Sequence, residues 1–295
     1  MPSSPIPLPA LGLIGFGAFG RLVAAHLAPL FTLRVHDPFA PASAFAAAGI
    51  EPCSLEEAAA CPVVILATPV PTLAALVRDI APHLRPGALI LDVGSVKVRP
   101  AQIMRAGLPP GVDIVATHPL FGPQSARDGL RGLKIAVCPV RGERARRVGA
   151  FLRRALGLTV ILTTPEAHDR EAAAVQGLTH LIAKVLVAME PLPTRMTTRS
   201  FDLVMQAVGM VRHDAPEVYH AIERENPYAG EVRRRFFELA AQMDGELGDI
   251  DLIDATITPD ARVTLRVIPG LVEGENPGST TADGAERGDR PSASS

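Results

Sequence analysis

The chain has 295 residues, enough for one large or two ordinary domains, and its 47% hydrophobic content is ample for a buried core. Its formal net charge is -2, so there is no electrostatic footprint for nucleic acid or an anionic membrane. Small molecules and a second copy of the chain are the expected partners.

The three cysteines, Cys53, Cys61 and Cys138, lack metal-type spacing and sit in or beside apolar runs, which predicts buried reduced thiols and a cytoplasmic protein. The opening MPSSPIPLPA has no basic n-region, so no signal peptide is expected. Prolines interrupt the apolar runs, and no membrane span is expected either.

Ala10 to Gly15 reads as a strand running into GFGAFG, Gly15 to Gly20, followed by the helical pattern RLVAAHLAPL. Glycines in such a strand, turn and helix let backbone approach a pyrophosphate, and the helix N-terminus offers free N–H groups to it. Gly15 makes the turn, Gly17 the close approach and Gly20 the helix packing. Phe16, Ala18 and Phe19 complete the expected cradle.

Phe31 to His36 is a second strand ending at Asp37, whose carboxylate is placed to accept from an adenosine ribose. A carboxylate there repels a 2′-phosphate, so NAD is expected, with NADP the alternative. An alanine-rich helix (Pro41 to Ala48) and a short helix around Glu56 to Ala60 follow. The apolar run Pro62 to Ala67 ends in Thr68 and Pro69, read as further cofactor wall.

Two more apolar runs, Ala88 to Val93 and Val112 to Thr117, have the length of buried parallel strands. Ligands in an open α/β sheet sit beyond the carboxyl ends of strands, where Ser95 and His118 stand. Such a pair can share one substrate proton, with the imidazole as base and the hydroxyl as relay. Asp92 reads either as a turn cap or as a ligand contact, Lys97 either as a solvated helix lysine or as a holder of an anionic substrate.

Strands at Leu133 to Val137 and Leu158 to Leu162 flank a basic helix (Glu143 to Ala155), whose arginines, without interleaved aromatics, form a solvated face. The predicted fold class is therefore α/β, a Rossmann-type doubly wound, mostly parallel sheet, followed by an all-helical dimerisation domain.

At Thr164-Pro165-Glu166 strands give way to helix, with a cap before a periodic run to Met189. The expected domains are residues 1–164 for the dinucleotide, 165–260 for substrate and dimerisation, and 261–295 as a disordered tail rich in Gly, Pro, Ser and Asp. Gln176 and His180, four residues apart, share a helix face that can point into the interdomain cleft. Asp169 at the helix start suits the helix dipole. Later helical patterns, Thr197 to Arg212, Pro216 to Glu225 and Tyr228 to Leu247, are apolar on more than one side, which predicts a homodimer.

DVGSVK and THPLFGPQSA, in that order behind the glycine turn, with HDREAAAVQGLTHLIAKVL further on, closely resemble the prephenate and arogenate dehydrogenases of tyrosine biosynthesis. The resemblance runs from about Leu11 to about Met243. It implies oxidative decarboxylation of a cyclohexadienol with NAD(P), His118 deprotonating the ring hydroxyl, Ser95 bridging, and His180 lining the substrate pocket. It also marks Asp128, ten residues beyond His118, where plant-type relatives preferring arogenate carry an acidic residue. An ammonium distinguishes arogenate from prephenate, so arogenate is the expected substrate.

Met210 stands where some relatives carry a carboxylate-gripping arginine. Arg212, two residues on, is turned by roughly 200° on a helix and does not inherit the role. A β-hydroxyacid dehydrogenase using Lys184, or a dinucleotide-sensing dimer without catalysis, are the rival readings. No room is expected ahead of Leu11 for a fused mutase, nor in the tail for a regulatory domain.

Overall fold

A computed structural model describes residues 8–247. The expected tail at 261–295 and the end of the expected helical domain lie outside these residues.

Seven strands form one sheet in the order β2-β1-β3-β4-β5-β6-β7. In chain order they are β1 (Ala10–Ile14), β2 (Thr32–His36), β3 (Val63–Leu66), β4 (Leu89–Asp92), β5 (Asp113–Pro119), β6 (Lys134–Arg141) and β7 (Thr159–Leu162). Helices α1 (Ala18–Leu27), α2 (Ala42–Ala48), α3 (Leu55–Ala59), α4 (Leu73–Ile80), α5 (Val98–Gly107) and α6 (Ala145–Leu156) connect them. This is the Rossmann-type arrangement that the alternation of apolar runs and helical patterns predicts. The central strands read as unbroken apolar runs because helices cover both faces, and two buried clusters pack on opposite sides, around Leu66, Ile90 and Ile114 and around Leu13, Val35 and Val137.

Only the β5–β6 pairing is antiparallel, so β6 and its parallel neighbour β7 run opposite to the other strands. No helix separates β5 from β6, so the chain turns back instead of crossing over. The pairing carries β5 further than its apolar run suggests, with His118 opposite Ala136 and Pro119 opposite Ile135. His118 is thus a residue of the strand itself, fixed by ladder geometry.

After β7 only helices follow. One continuous helix, Pro165–Ala188, begins on the N-cap of Thr164, whose hydroxyl accepts from the Ala167 N–H, with Pro165 in the first turn. It consists of α7 (Pro165–Ala172), a π turn over Ala173–Gly177 and α8 (Leu178–Ala188). An uninterrupted helix would set His168 and His180 about 120° apart, and a one-residue π insertion brings this to about 20°. The insertion therefore turns His180 to the side of the helix that His168 occupies.

By length and mean hydropathy, 1.2, this helix is long and apolar enough to cross a membrane, which corrects the expectation that no such run exists. A third of that apolar stretch is buried within the fold.

Helices α9 (Arg199–Val211), α10 (Pro216–His220) and α11 (Ala229–Leu247) complete the described chain. A second π turn, Ala221–Glu225, extends α10, and a Cβ on Gly177 would lie 3.3 Å from Glu223 Oε1, so the two π turns pack closely. One compact unit extends to Glu246 and includes both the sheet and these helices.

Candidate active site

The glycine turn is built as its spacing suggests. Gly15 adopts φ +103°, open to glycine, and a Cβ there would lie 2.4 Å from the Ala67 carbonyl oxygen. A Cβ on Gly20 would lie 2.2 Å from the Gly15 oxygen, so helix α1 rests directly on the turn. Gly17, by contrast, has nothing within 4 Å of its Cβ direction and caps α1 without any side-chain hydrogen bond. The N-terminal amides of α1 are therefore uncapped beside open space, a fit for a pyrophosphate.

Phe16 is buried and stacked on Phe45 at 4.6 Å, so its side chain serves the core, while Ala18 is exposed at the turn. Phe19 is half-buried and lies 6.3 Å from Phe121 of the loop after β5.

Asp37 is more committed than expected. Its Oδ2 accepts from the Phe16 N–H at 2.6 Å, and its Oδ1 accepts from the N–H groups of Phe39 and Ala40 at 2.8 and 3.1 Å. Three backbone donors leave the carboxylate about one more acceptor site for a ribose hydroxyl. Its primary work is to pin the glycine turn to the end of β2.

Thr68, with Pro69 at the end of β3, has a buried hydroxyl without a protein partner, as does Gln176 Oε1 on the π turn. Buried polar atoms are nearly always satisfied, so two orphans on residues named for ligand contact fit a site that polar ligands complete.

At the ends of β4 and β5, Lys97 departs from expectation. It is 0% exposed; its ammonium pairs with Asp92 Oδ2 and donates to the Thr117 carbonyl. The amine is buried rather than solvated, and two of its three donors tie β4 to β5. Asp92 also accepts from the Gly94 N–H at 3.0 Å, the turn-capping role. Burial pushes the Asp92 carboxyl up, with Lys97 opposing that shift.

His118 is 3% exposed, and its Nδ1 lies 2.8 Å from His168 Nε2. His168 Nδ1 in turn lies 2.7 Å from Asp169 Oδ1. The Asp169 carboxylate also accepts from the backbone N–H groups of Lys97 and Val98 at 2.7 and 2.8 Å, capping α5 from another helix, since α5 has no side-chain cap of its own. Asn226 Nδ2 donates to the Asp169 carbonyl at 2.8 Å. Burial holds His118 well below the ordinary histidine value of 6.5, with smaller contributions in the same direction from the neighbouring His168 and Lys97. It is therefore a neutral imidazole at neutral pH, able to accept a proton.

Sequence reasoning took His168 and Asp169 only as a helix opening. Their adjacency at the first turn after the last strand was the available signal, but their partners lie 50 and about 70 residues away. Ser95 is half-buried at the end of β4, and the Nδ1 partner of His118 is His168, not Ser95. His180 is buried, with Nε2 3.8 Å from Asp214 Oδ2; burial lowers its pKa and Asp214 opposes this.

Asp128 stands in the turn before Gly129, its side chain 89% exposed and 3.4 Å from Arg127 Nε. Arg212 is paired through both guanidinium nitrogens with Glu190, and Met210 is exposed. Lys184 is exposed and lies over the Tyr219 ring at 5.6 Å. Among the described residues, no group of three or more His, Cys, Asp and Glu side chains is placed to hold a metal ion.

The strand-end histidine of this arrangement lies within a segment that a family model matches. The family model described as "Prephenate dehydrogenase, nucleotide-binding domain" matches residues 40–153, which include β3, β4, β5 and His118. Over those residues the chain is similar to the nucleotide-binding domain of the prephenate dehydrogenases.

A "Probable arogenate/prephenate dehydrogenase" of Methanocaldococcus jannaschii is 30% identical over 184 residues, covering 59% of this chain and 41% of that protein. A "4-amino-4-deoxyprephenate dehydrogenase" of Streptomyces pristinaespiralis is 31% identical over 183 residues, 60% of each chain. The chain thus spans between two-fifths and three-fifths of the length of these two relatives. In fold it is similar to prephenate dehydrogenase of A. aeolicus, solved in complex with hydroxyphenyl propionate and NAD+, at a TM-score of 0.65 and 21% identity, covering 83% of this chain and 92% of that one.

Proposed function

We propose that this chain carries out NAD(P)-dependent oxidative decarboxylation of a cyclohexadienol, arogenate in preference to prephenate, as a step of tyrosine formation. The observation that carries this reading is the buried, neutral His118 at the end of β5, with Nδ1 occupied by His168 and Nε2 left for a ligand. Gly15, Gly17, Phe19, Thr68 and Pro69 are proposed to hold the dinucleotide. Asp37 favours NAD by repelling a 2′-phosphate. Residues 1–164 serve the cofactor, and 165–260 serve substrate and self-association.

The dinucleotide, when bound, supplies the acceptor for the hydride that leaves the hydroxyl-bearing ring carbon. The chain's own part is orientation and one proton. His118 Nε2 takes the hydroxyl proton as the hydride departs, with Ser95 bridging to the same oxygen. The bond to the ring carboxylate then breaks, CO2 leaves, and its electron pair aromatises the ring. The resulting phenolate recovers the proton from His118, so the imidazole is regenerated without net proton release.

His180, turned toward the side of His168 by the π insertion, and Gln176 on the π turn support a substrate wall contributed by the helical part. The exposed carboxylate of Asp128 in the loop after β5 supports preference for an ammonium-bearing substrate, with Arg127 as its competitor. Exposed Val175, Val185, Met189, Leu203 and Val204 support a homodimer through the helical part.

The decisive experiment mixes purified protein with NAD or NADP and either arogenate or prephenate, following reduced nicotinamide absorbance. Faster turnover with arogenate and NAD is expected. No reduction with any of the four pairs would sink the reading.

A further inference from the structure

We propose that His168 and Asp169 are positioning residues that fix the tautomer of His118, so that its Nε2 reaches the reacting hydroxyl without a proton. This rests on the reading of His118 as the base.

The argument is one of donors and acceptors along a buried chain. Both Asp169 oxygens accept backbone N–H groups, and Oδ1 lies 2.7 Å from His168 Nδ1, so that nitrogen carries the proton. The carboxylate is held immobile by the Lys97 and Val98 amides, and its own backbone by Asn226. With the single ring proton placed on Nδ1 by that contact, His168 offers only a lone pair at Nε2. His118 Nδ1, 2.8 Å away, must be the donor.

A neutral His118 with its proton on Nδ1 has a bare Nε2. The rings meet at 71° with centroids 5.0 Å apart, an edge contact that suits this bond and not a stack. If the order were reversed, with His168 donating, neutral His118 would carry its proton on Nε2 and be useless as a base.

Asp169 also caps α5, which follows the Ser95 turn. One carboxylate thereby places the hydroxyl-bearing loop and orders the imidazole.

The test uses the full chain with 15N-labelled histidine, as wild type, His168→Leu and His168→Gln. Glutamine can accept from His118 Nδ1 through its Oε1, and leucine cannot. Nitrogen shifts without substrate should show His118 protonated on Nδ1 in the wild type and the Gln variant, and a mixture in the Leu variant. With substrate, Leu should lower kcat roughly 100-fold while the KM for the dinucleotide stays within about 2-fold, and Gln should restore most of the loss.

A wild-type His118 protonated on Nε2, or equal losses in Leu and Gln, would overturn the proposal. The nitrogen-shift arm needs no turnover, so an enzyme inactive on every substrate would end the proposed function while leaving this question decided on its own evidence.

Discussion

The Asp169 carboxylate accepts the backbone N–H of Lys97 at 2.7 Å, so the helix that follows the sheet caps a helix within the sheet layers. Removing that carboxylate frees two α5 amides and the His168 ring together. Asp169→Ala is expected to cost at least about 1 to 2 kcal/mol, the range for a lost cap, with more from the buried imidazole. Urea unfolding of the two proteins measures it; unchanged midpoints would mean the cap contributes nothing.

His118→Asn is expected to lower kcat by roughly 100- to 10,000-fold, the usual worth of a positioned base. Dinucleotide affinity, measured by titration calorimetry, should change little because the glycine turn is untouched. Equal loss of binding and turnover would make His118 structural.

The glycine turn separates folding from binding. Gly20→Ala places a Cβ 2.2 Å from backbone oxygen and should destabilise the fold, whereas Gly17→Ala meets nothing within 4 Å in the protein alone. Gly17→Ala is therefore expected to keep the wild-type thermal midpoint and weaken dinucleotide binding about tenfold or more. Wild-type affinity in that variant would remove Gly17 from the cofactor site.

Lys97 and Asp92 form a buried pair whose separation leaves a charge stranded. Lys97→Met is expected to cost about 3 to 5 kcal/mol. Lys97→Met combined with Asp92→Asn should recover part of this, and denaturant titration of both decides whether it does.

Burial depresses the pKa of His118 and His180 below the ordinary 6.5. Below that value the unfolded chain takes up protons that the folded one refuses, so stability is full above it and is lost as pH falls through the folded values. Unfolding midpoints should therefore drop as the pH falls below about 6.5, the ordinary histidine value. The acid limb of kcat/KM should likewise lie below 6.5. A midpoint that rises on acidification would contradict the assigned burial of these rings.

Local patterns determined much of this molecule. Seven apolar runs, the glycine spacing, the Thr164 cap and the shift from strands to helices are written within a few residues of each other, and each appears in the fold near its expected place. The HPLFGP segment carries the family resemblance because short-range wording survives without any knowledge of contacts.

Tertiary structure alone decided what His118 touches, because its partner is 50 residues away and only the returning helix brings it there. It likewise decided that Lys97 faces inward: its charge is neutralised by Asp92 across the strand ends, whereas a helix-opening lysine in isolation would stay in water. The direction of β6 and the π insertion depend on packing that no local periodicity records. Which side chains meet is a property of the folded chain, set by burial summed over many distant residues.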